Sequence, residues 1–196
     1  MTNEITATDQ FVRRELEKMH SQFQLEYTEQ TSNIPEVKKA LKGASKQGGK
    51  GIGKPEFVFL SNDLLVIIEN KLLSEHLISL DPDGTLNMAH IAKYAVNGAV
   101  HYAKHVVQKA PSFREVIAVG VTGNEESHSI QPYFVSLDDD NVNIQPLPKL
   151  KSLQELNPSN IEEWYSINVL GNYCKEQQKV IELQKVASEL HDLHST

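Results

Sequence analysis

Glu56, Glu69 and Lys71 stand at the spacing that would let two carboxylates and an ammonium share one patch of a β-hairpin. Apolar runs at residues 56–60 and 64–69 flank the polar turn Ser61-Asn62-Asp63, which is a hairpin pattern. With Asn62-Asp63 as a two-residue turn, Ser61 faces Leu64, and counting back along both strands brings Glu56 opposite Glu69. Directly opposed side chains lie on one face with Cβ atoms roughly 4.5–5.5 Å apart. Like charges at that separation repel unless a cation compensates them. Mg2+ suits the role, with Mn2+ as a substitute, because it takes one or two carboxylates and keeps several waters. Lys71 is two residues past Glu69, so strand alternation points it to the same face. The backbone carbonyl of Asn70 is a candidate neutral ligand. A divalent cation polarises a phosphate and lowers the pKa of a bound water, and an ammonium steadies charge on phosphoryl oxygens. These are the parts that phosphodiester hydrolysis needs.

The surrounding sequence predicts the elements that position them. Residues 6–28 read as a helix, capped by Thr8 or Asp9, with Phe11, Leu16, Met19 and Phe23 as its apolar stripe. Residues 35–45 read as a short helix with Pro35 in its first turn. The run from Gly43 to Lys54 contains five glycines and reads as a mobile loop. Leu64-Leu65-Val66-Ile67-Ile68 is apolar on both faces, as a central strand covered on two sides would be. Residues 74–86 read as loop, with Asp81-Pro82-Asp83-Gly84 as a turn. Residues 87–109 read as a helix whose small-residue stripe, Ala95, Gly98, Ala99, Tyr102 and Val106, suits close packing on a sheet. Residues 115–121 and 130–135 read as strands. No internal repeat is present. This order predicts an α/β fold with a mixed central sheet flanked by helices. The expected division is a core over 1–140, a polar linker over 141–158 and a helical extension or connector over 159–196.

Pro55-Glu56 together with Glu69-Asn70-Lys71 at the end of an apolar strand resembles the two halves of the PD-(D/E)XK nuclease motif. A longer resemblance, over roughly residues 5–137, is to the N-terminal cleavage segment of bacterial restriction–modification enzymes, type IIG or type I-like, fused to an adenine-N6 methyltransferase. It is carried by Ala44-Ser45-Lys46, the Gly48–Lys54 run, Pro55-Glu56-Phe57, Glu69-Asn70-Lys71 and the helix motif Tyr94-Ala95-Val96-Asn97-Gly98-Ala99-Val100-His101-Tyr102-Ala103. Asn70 stands where that family has cysteine, and Asn97 where it has aspartate. The resemblance implies the restriction-endonuclease-like core and Mg2+-dependent endonuclease activity on double-stranded DNA. It also implies methyltransferase and target-recognition domains in the same or a partner chain, and a transient homodimer when both strands are cut. Nucleases of this type often bring a further acid from the first helix, for which Glu15 is the candidate.

Charge and composition set limits on that reading. The net charge is −7, which counts against a protein that simply coats DNA. Yet six lysines and no acid lie between Lys38 and Lys54, and Lys46, Lys50 and Lys54 are the candidate contacts to a DNA backbone. The spacing around Gly49-Lys50 fails the phosphate-loop pattern, because residue 44 is alanine and residue 51 is glycine. His101 and His105 are four apart, a spacing that binds zinc, but no third ligand is evident. Tyr94 and His101 are candidates to touch the metal waters or a phosphate from behind the site. Asp138-Asp139-Asp140 reads as a turn. The single cysteine, Cys174, rules out an intrachain disulfide. No secretory leader or membrane-length apolar run is present, so a cytoplasmic location is expected. The alternatives left open are a non-catalytic DNA- or partner-binding module of the same fold, and action on RNA or branched DNA.

Overall fold

The computed structural model describes residues 6–171 together with 182, 183 and 186. The order of elements is α1 (Ala7–Phe23), β1 (Tyr27–Glu29), α2 (Pro35–Ala40), β2 (Phe57–Ser61), β3 (Leu64–Lys71), α3 (Ala95–Lys109), β4 (Glu115–Gly123), β5 (His128–Asp138), β6 (Asn141–Pro146) and α4 (Ile161–Asn168). The six strands form one sheet in sequence order. Neighbours are antiparallel except β3 and β4, which run parallel. A parallel pair needs a long crossover, and α3 supplies it. The protein is therefore an α/β fold with a mixed sheet flanked by helices. Among the described residues no helix is long and apolar enough to cross a membrane.

The apolar run of β3 is buried on both faces, with Leu65, Val66, Ile67 and Ile68 all inaccessible. Leu65 and Ile67 share a core with Val58, Val116, Ala118 and the α3 residues Val96, Ala99, Val100 and Ala103. The opposite face belongs to α1. The Thr8 hydroxyl is held between the carbonyls of Gly123 (2.6 Å) and Lys71 (3.2 Å), and Asn70 Nδ2 donates to Asp9 at 2.7 Å. Fully burying one such aliphatic side chain contributes about 1.5–3 kcal/mol, so two covered faces make this strand the anchor of the fold.

Close approach of α3 depends on two glycines. A Cβ on Gly120 of β4 would lie 2.5 Å from Val96 Cγ2 and 2.6 Å from the Val96 nitrogen. A Cβ on Gly98 of α3 would lie 2.9 Å from the Ile91 carbonyl and 3.3 Å from Glu69 Oε2. The helix thus rests directly on the strand position that carries Glu69.

Several boundaries differ from the sequence expectation. Thr6, not Thr8 or Asp9, caps α1, and Asp9 closes the capping box as its third helical residue. The helix stops at Phe23, where Gln24 turns left-handed (φ 54), and the chain enters a short edge strand. The α2 helix ends at Ala40. Residues 87–94 do not belong to the long helix. Asn87 caps a single 3-10 turn at Met88–His90, and α3 starts after Tyr94. The strands at 115–121 and 130–135 each run longer than expected. The expected linker at 141–158 instead contributes the edge strand β6 and a 3-10 turn, Leu153–Leu156. The chain divides into two compact units between Ile161 and Glu162. Most of the expected helical extension at 159–196 lies outside the described residues; α4 falls at its start.

Candidate active site

The hairpin register fixes the first two residues. Phe57 pairs with Ile68 and Ser61 with Leu64, and continuing one step places Glu56 across from Glu69. The Glu56 backbone N–H donates to Glu69 Oε1 at 3.3 Å. Glu69 is completely inaccessible, and burial raises its pKa, opposed by the Lys46 ammonium beside it. Glu56 is half-buried just before β2. Burial, with Glu69 and then Asp9 adding repulsion, pushes its pKa up to about 7. Lys71 acts on both carboxylates through space, favouring their charged forms. Asn70 spends its side chain on Asp9, on the opposite face of the strand.

The structure adds residues that the sequence did not single out. Gln30 holds a left-handed backbone (φ 58), which is uncommon outside glycine and clusters at functional sites. Its N–H donates to the Glu56 carbonyl at 3.3 Å, and its side-chain amide donates to Glu56 Oε2. Asp9 comes from the first turn of α1, where its other oxygen takes the Thr6 N–H and hydroxyl at 2.7 Å each. The sequence offered Asp9 as a cap for the start of this helix. Nothing local showed that the same carboxylate would bond Asn70 and raise the Glu56 pKa through space. A cleft of about 310 Å3 opens over Glu56, bordered by Gln30, Lys46, Gln47, Lys54 and Tyr102.

The glycine-rich loop is more ordered than its composition suggests. Its neck is tied by the Lys42–Ile52 bridge, by Gly53 N–H to the Leu41 carbonyl (2.8 Å), and by two side chains of α3. His101 Nε2 donates to the Ala44 carbonyl at 2.9 Å, and the Tyr102 hydroxyl accepts the Lys54 N–H at 3.3 Å. Lys46 turns inward, pairs with Glu69 Oε2, and lies 5.4 Å over the Tyr102 ring centroid. Lys50 and Lys54 remain exposed.

The structure gives four of the expected site residues specific partners. Lys46, expected as a contact to a DNA backbone, is drawn inward by the buried Glu69. His101 serves the loop neck, and its pKa is lowered mainly by burial. Tyr94 packs among His76 and His90, each ring centroid 5.7 Å away. Glu15, buried on α1, bonds Lys18 (2.7 Å) and Ser152 (2.7 Å); the α1 acid whose charge reaches Glu56 is Asp9, acting through space. Asn97, where the related motif has aspartate, is fully buried and uses both ends of its amide. Its oxygen accepts the Ser79 N–H (2.9 Å), and its nitrogen donates to the carbonyls of Ser79 (2.9 Å) and Asn87 (2.8 Å). An aspartate could not make the two donations when ionised.

Among the described residues no three His, Cys, Asp or Glu side chains converge as a metal cage. The fixed side-chain donors here are two carboxylates, an oxygen set suited to a hard cation that keeps several waters.

No protein-family model matches the chain, and no solved structure matches it. Over 195 residues, 98% of its length, the chain is 42% identical to the type II restriction enzyme and methyltransferase RM.BcgI of Heyndrickxia coagulans, and it spans 29% of that protein.

Proposed function

We propose that this chain is the DNA-cleaving part of a restriction–modification enzyme. Its core would be of the PD-(D/E)XK type, acting as a Mg2+-dependent endodeoxyribonuclease. The observation that carries the reading is the pairing of Glu56 with a wholly buried Glu69 beside Lys71, at the end of the central strand. The likeness to a protein named for both restriction and methylation supports it. Placing two carboxylates together, one of them without solvent, costs stability, and a cation site is the function that would justify the cost.

Glu56, Glu69 and the Asn70 carbonyl would hold the ion. Bound Mg2+ supplies polarisation of a phosphoryl oxygen and a water of lowered pKa. Lys71 places a positive charge where charge grows on the phosphate. Glu56 must shed its proton to act as a ligand, so binding weakens as pH falls through about 7. Lys50 and Lys54 offer phosphate contacts on the loop side of the cleft. Because the chain spans less than a third of its relative, sequence choice and tight DNA binding are assigned to methyltransferase and recognition domains outside it. Cutting both strands would bring two such domains together.

Calorimetric titration of Mn2+ or Mg2+ into the wild type and Glu69→Gln tests the proposal. A heat signal present in the wild type and lost in the variant is expected. Nicking of supercoiled plasmid should likewise be lost in Glu69→Gln and Lys71→Met. Equal heats in both proteins at saturating metal would remove the catalytic reading and favour a binding module of the same fold.

A further inference from the structure

We infer that Lys46 and a divalent cation are mutually exclusive on Glu69, so that loading the site releases the tip of the glycine-rich loop. The inference rests on the nuclease reading above and concerns how that site is regulated. Both oxygens of Glu69 are engaged. Oε1 accepts the Glu56 N–H and Oε2 accepts the Lys46 ammonium. The N–H belongs to the hairpin and stays in place, whereas the ammonium arrives on a loop. Its charge is enclosed between Glu69 and the Tyr102 ring, and its side chain is 16% exposed. An ion bound to Glu69 Oε2 would compete with the ammonium for that oxygen, and two positive charges there repel strongly in a partly desolvated site.

The loop is built to let the lysine go. Its neck is fixed by Lys42–Ile52, Gly53–Leu41 and His101–Ala44. The tip is spanned by the Ser45 N–H to the Gly51 carbonyl (3.2 Å) and the Gly48 N–H to the Ser45 carbonyl (3.1 Å). Gly48 and Gly49 sit at φ +80 and +77 with nothing within 4 Å of an added Cβ, so at these two positions the tip packs against no other part of the fold. Once free, Lys46 returns its charge to a strip that already carries Lys50 and Lys54 beside the cleft, where a phosphate backbone would lie. Metal loading and backbone contact are thereby coupled through one side chain.

The test is Mn2+ titration by calorimetry into wild type, Lys46→Gln and Glu69→Gln. Lys46→Gln is expected to bind Mn2+ about tenfold more tightly than wild type, the worth of one charge-assisted hydrogen bond that no longer competes. Binding lost in Glu69→Gln but unchanged or weaker in Lys46→Gln would leave the nuclease reading standing and overturn the inference, assigning Lys46 to a partnership with the metal. Absence of any Glu69-dependent binding would overturn both. A second measurement needs no variant. Saturating Mn2+ should increase tryptic cleavage after Lys46 severalfold in the wild type, mapped by mass spectrometry, and a Lys46 site equally protected with and without Mn2+ refutes the release.

Discussion

Replacing Glu56 by glutamine removes the charge that the fold resists while keeping the side-chain shape and an oxygen for Gln30. Burial and the neighbouring Glu69 raise the Glu56 pKa from 4.5 to about 7. A carboxyl whose pKa is raised on folding binds its proton more tightly in the folded state, so its contribution to stability is complete below the unfolded value and is lost as pH rises through the folded one. At 1.36 kcal/mol per pH unit, that rise corresponds to about 3 kcal/mol. Solvent reaches part of this half-buried group, so the expected gain for Glu56→Gln above neutral pH is ~1–3 kcal/mol. For a chain of this size it appears as a melting temperature about 3–10 °C above wild type. The assay is thermal denaturation by circular dichroism at pH 4.5, 6 and 8. The difference should vanish at pH 4.5, open between 4.5 and 7, and hold level above 7. A variant that melts below wild type at pH 8, or a gap that does not change with pH, would refute the reasoning that burial and repulsion dominate this carboxyl.

Two further perturbations test how the site is supported. Gly120→Ala puts a methyl within 2.6 Å of the Val96 nitrogen and must lift α3 from the sheet. A loss of about 1–3 kcal/mol in urea denaturation is expected, with weaker Mn2+ binding because Gly98 then withdraws from Glu69. Asn97→Asp removes two donated hydrogen bonds and sets an ionised acceptor against the Ser79 and Asn87 carbonyls. It should cost about 3 kcal/mol at pH 8 and less at pH 4, where a protonated aspartate can donate again; a loss that is independent of pH would count against this account.

The parts of the fold legible in the sequence are those set by local pattern. Two polar residues between apolar runs give the hairpin register, and with it the facing glutamates. An apolar run on both faces gives the central strand. Small residues at helical spacing give α3 and its seat on the sheet. What was not legible depends on contacts distant in sequence. A lysine in a glycine run reads as solvated, and only the need of a buried Glu69 for a counter-ion turns Lys46 inward across 23 residues. Asp9 reads as a helix-start residue, and its second role follows from the docking of α1 against the end of β3. The edge strands β1 and β6 are short and mostly polar, because an edge is exposed and has no need of the alternation that reveals a strand. The segment 87–94 keeps helical spacing, but Asn97 ties Ser79 and Asn87 to α3 and leaves Asn87–Tyr94 as a separate turn.

The site's charges make opposite demands on stability, and the signs separate a site kept for chemistry from one kept for structure. Glu56 and Glu69 are costly where they stand, whereas Lys46 offsets part of that cost from inside the protein and Lys71 does so from the strand end. Removing an acid should therefore stabilise the fold at neutral pH and abolish metal binding, as a functional charge does. Removing Lys46 should destabilise the fold, because Glu69 is left buried without its partner, while strengthening metal binding. A purely structural ion pair predicts neither divergence, since both partners would then lower stability when removed and leave metal affinity unmoved. Melting temperature and Mn2+ affinity, measured on the same three proteins with substitutions at 46, 56 and 69, thus distinguish the two origins of this cluster without an assay of cleavage.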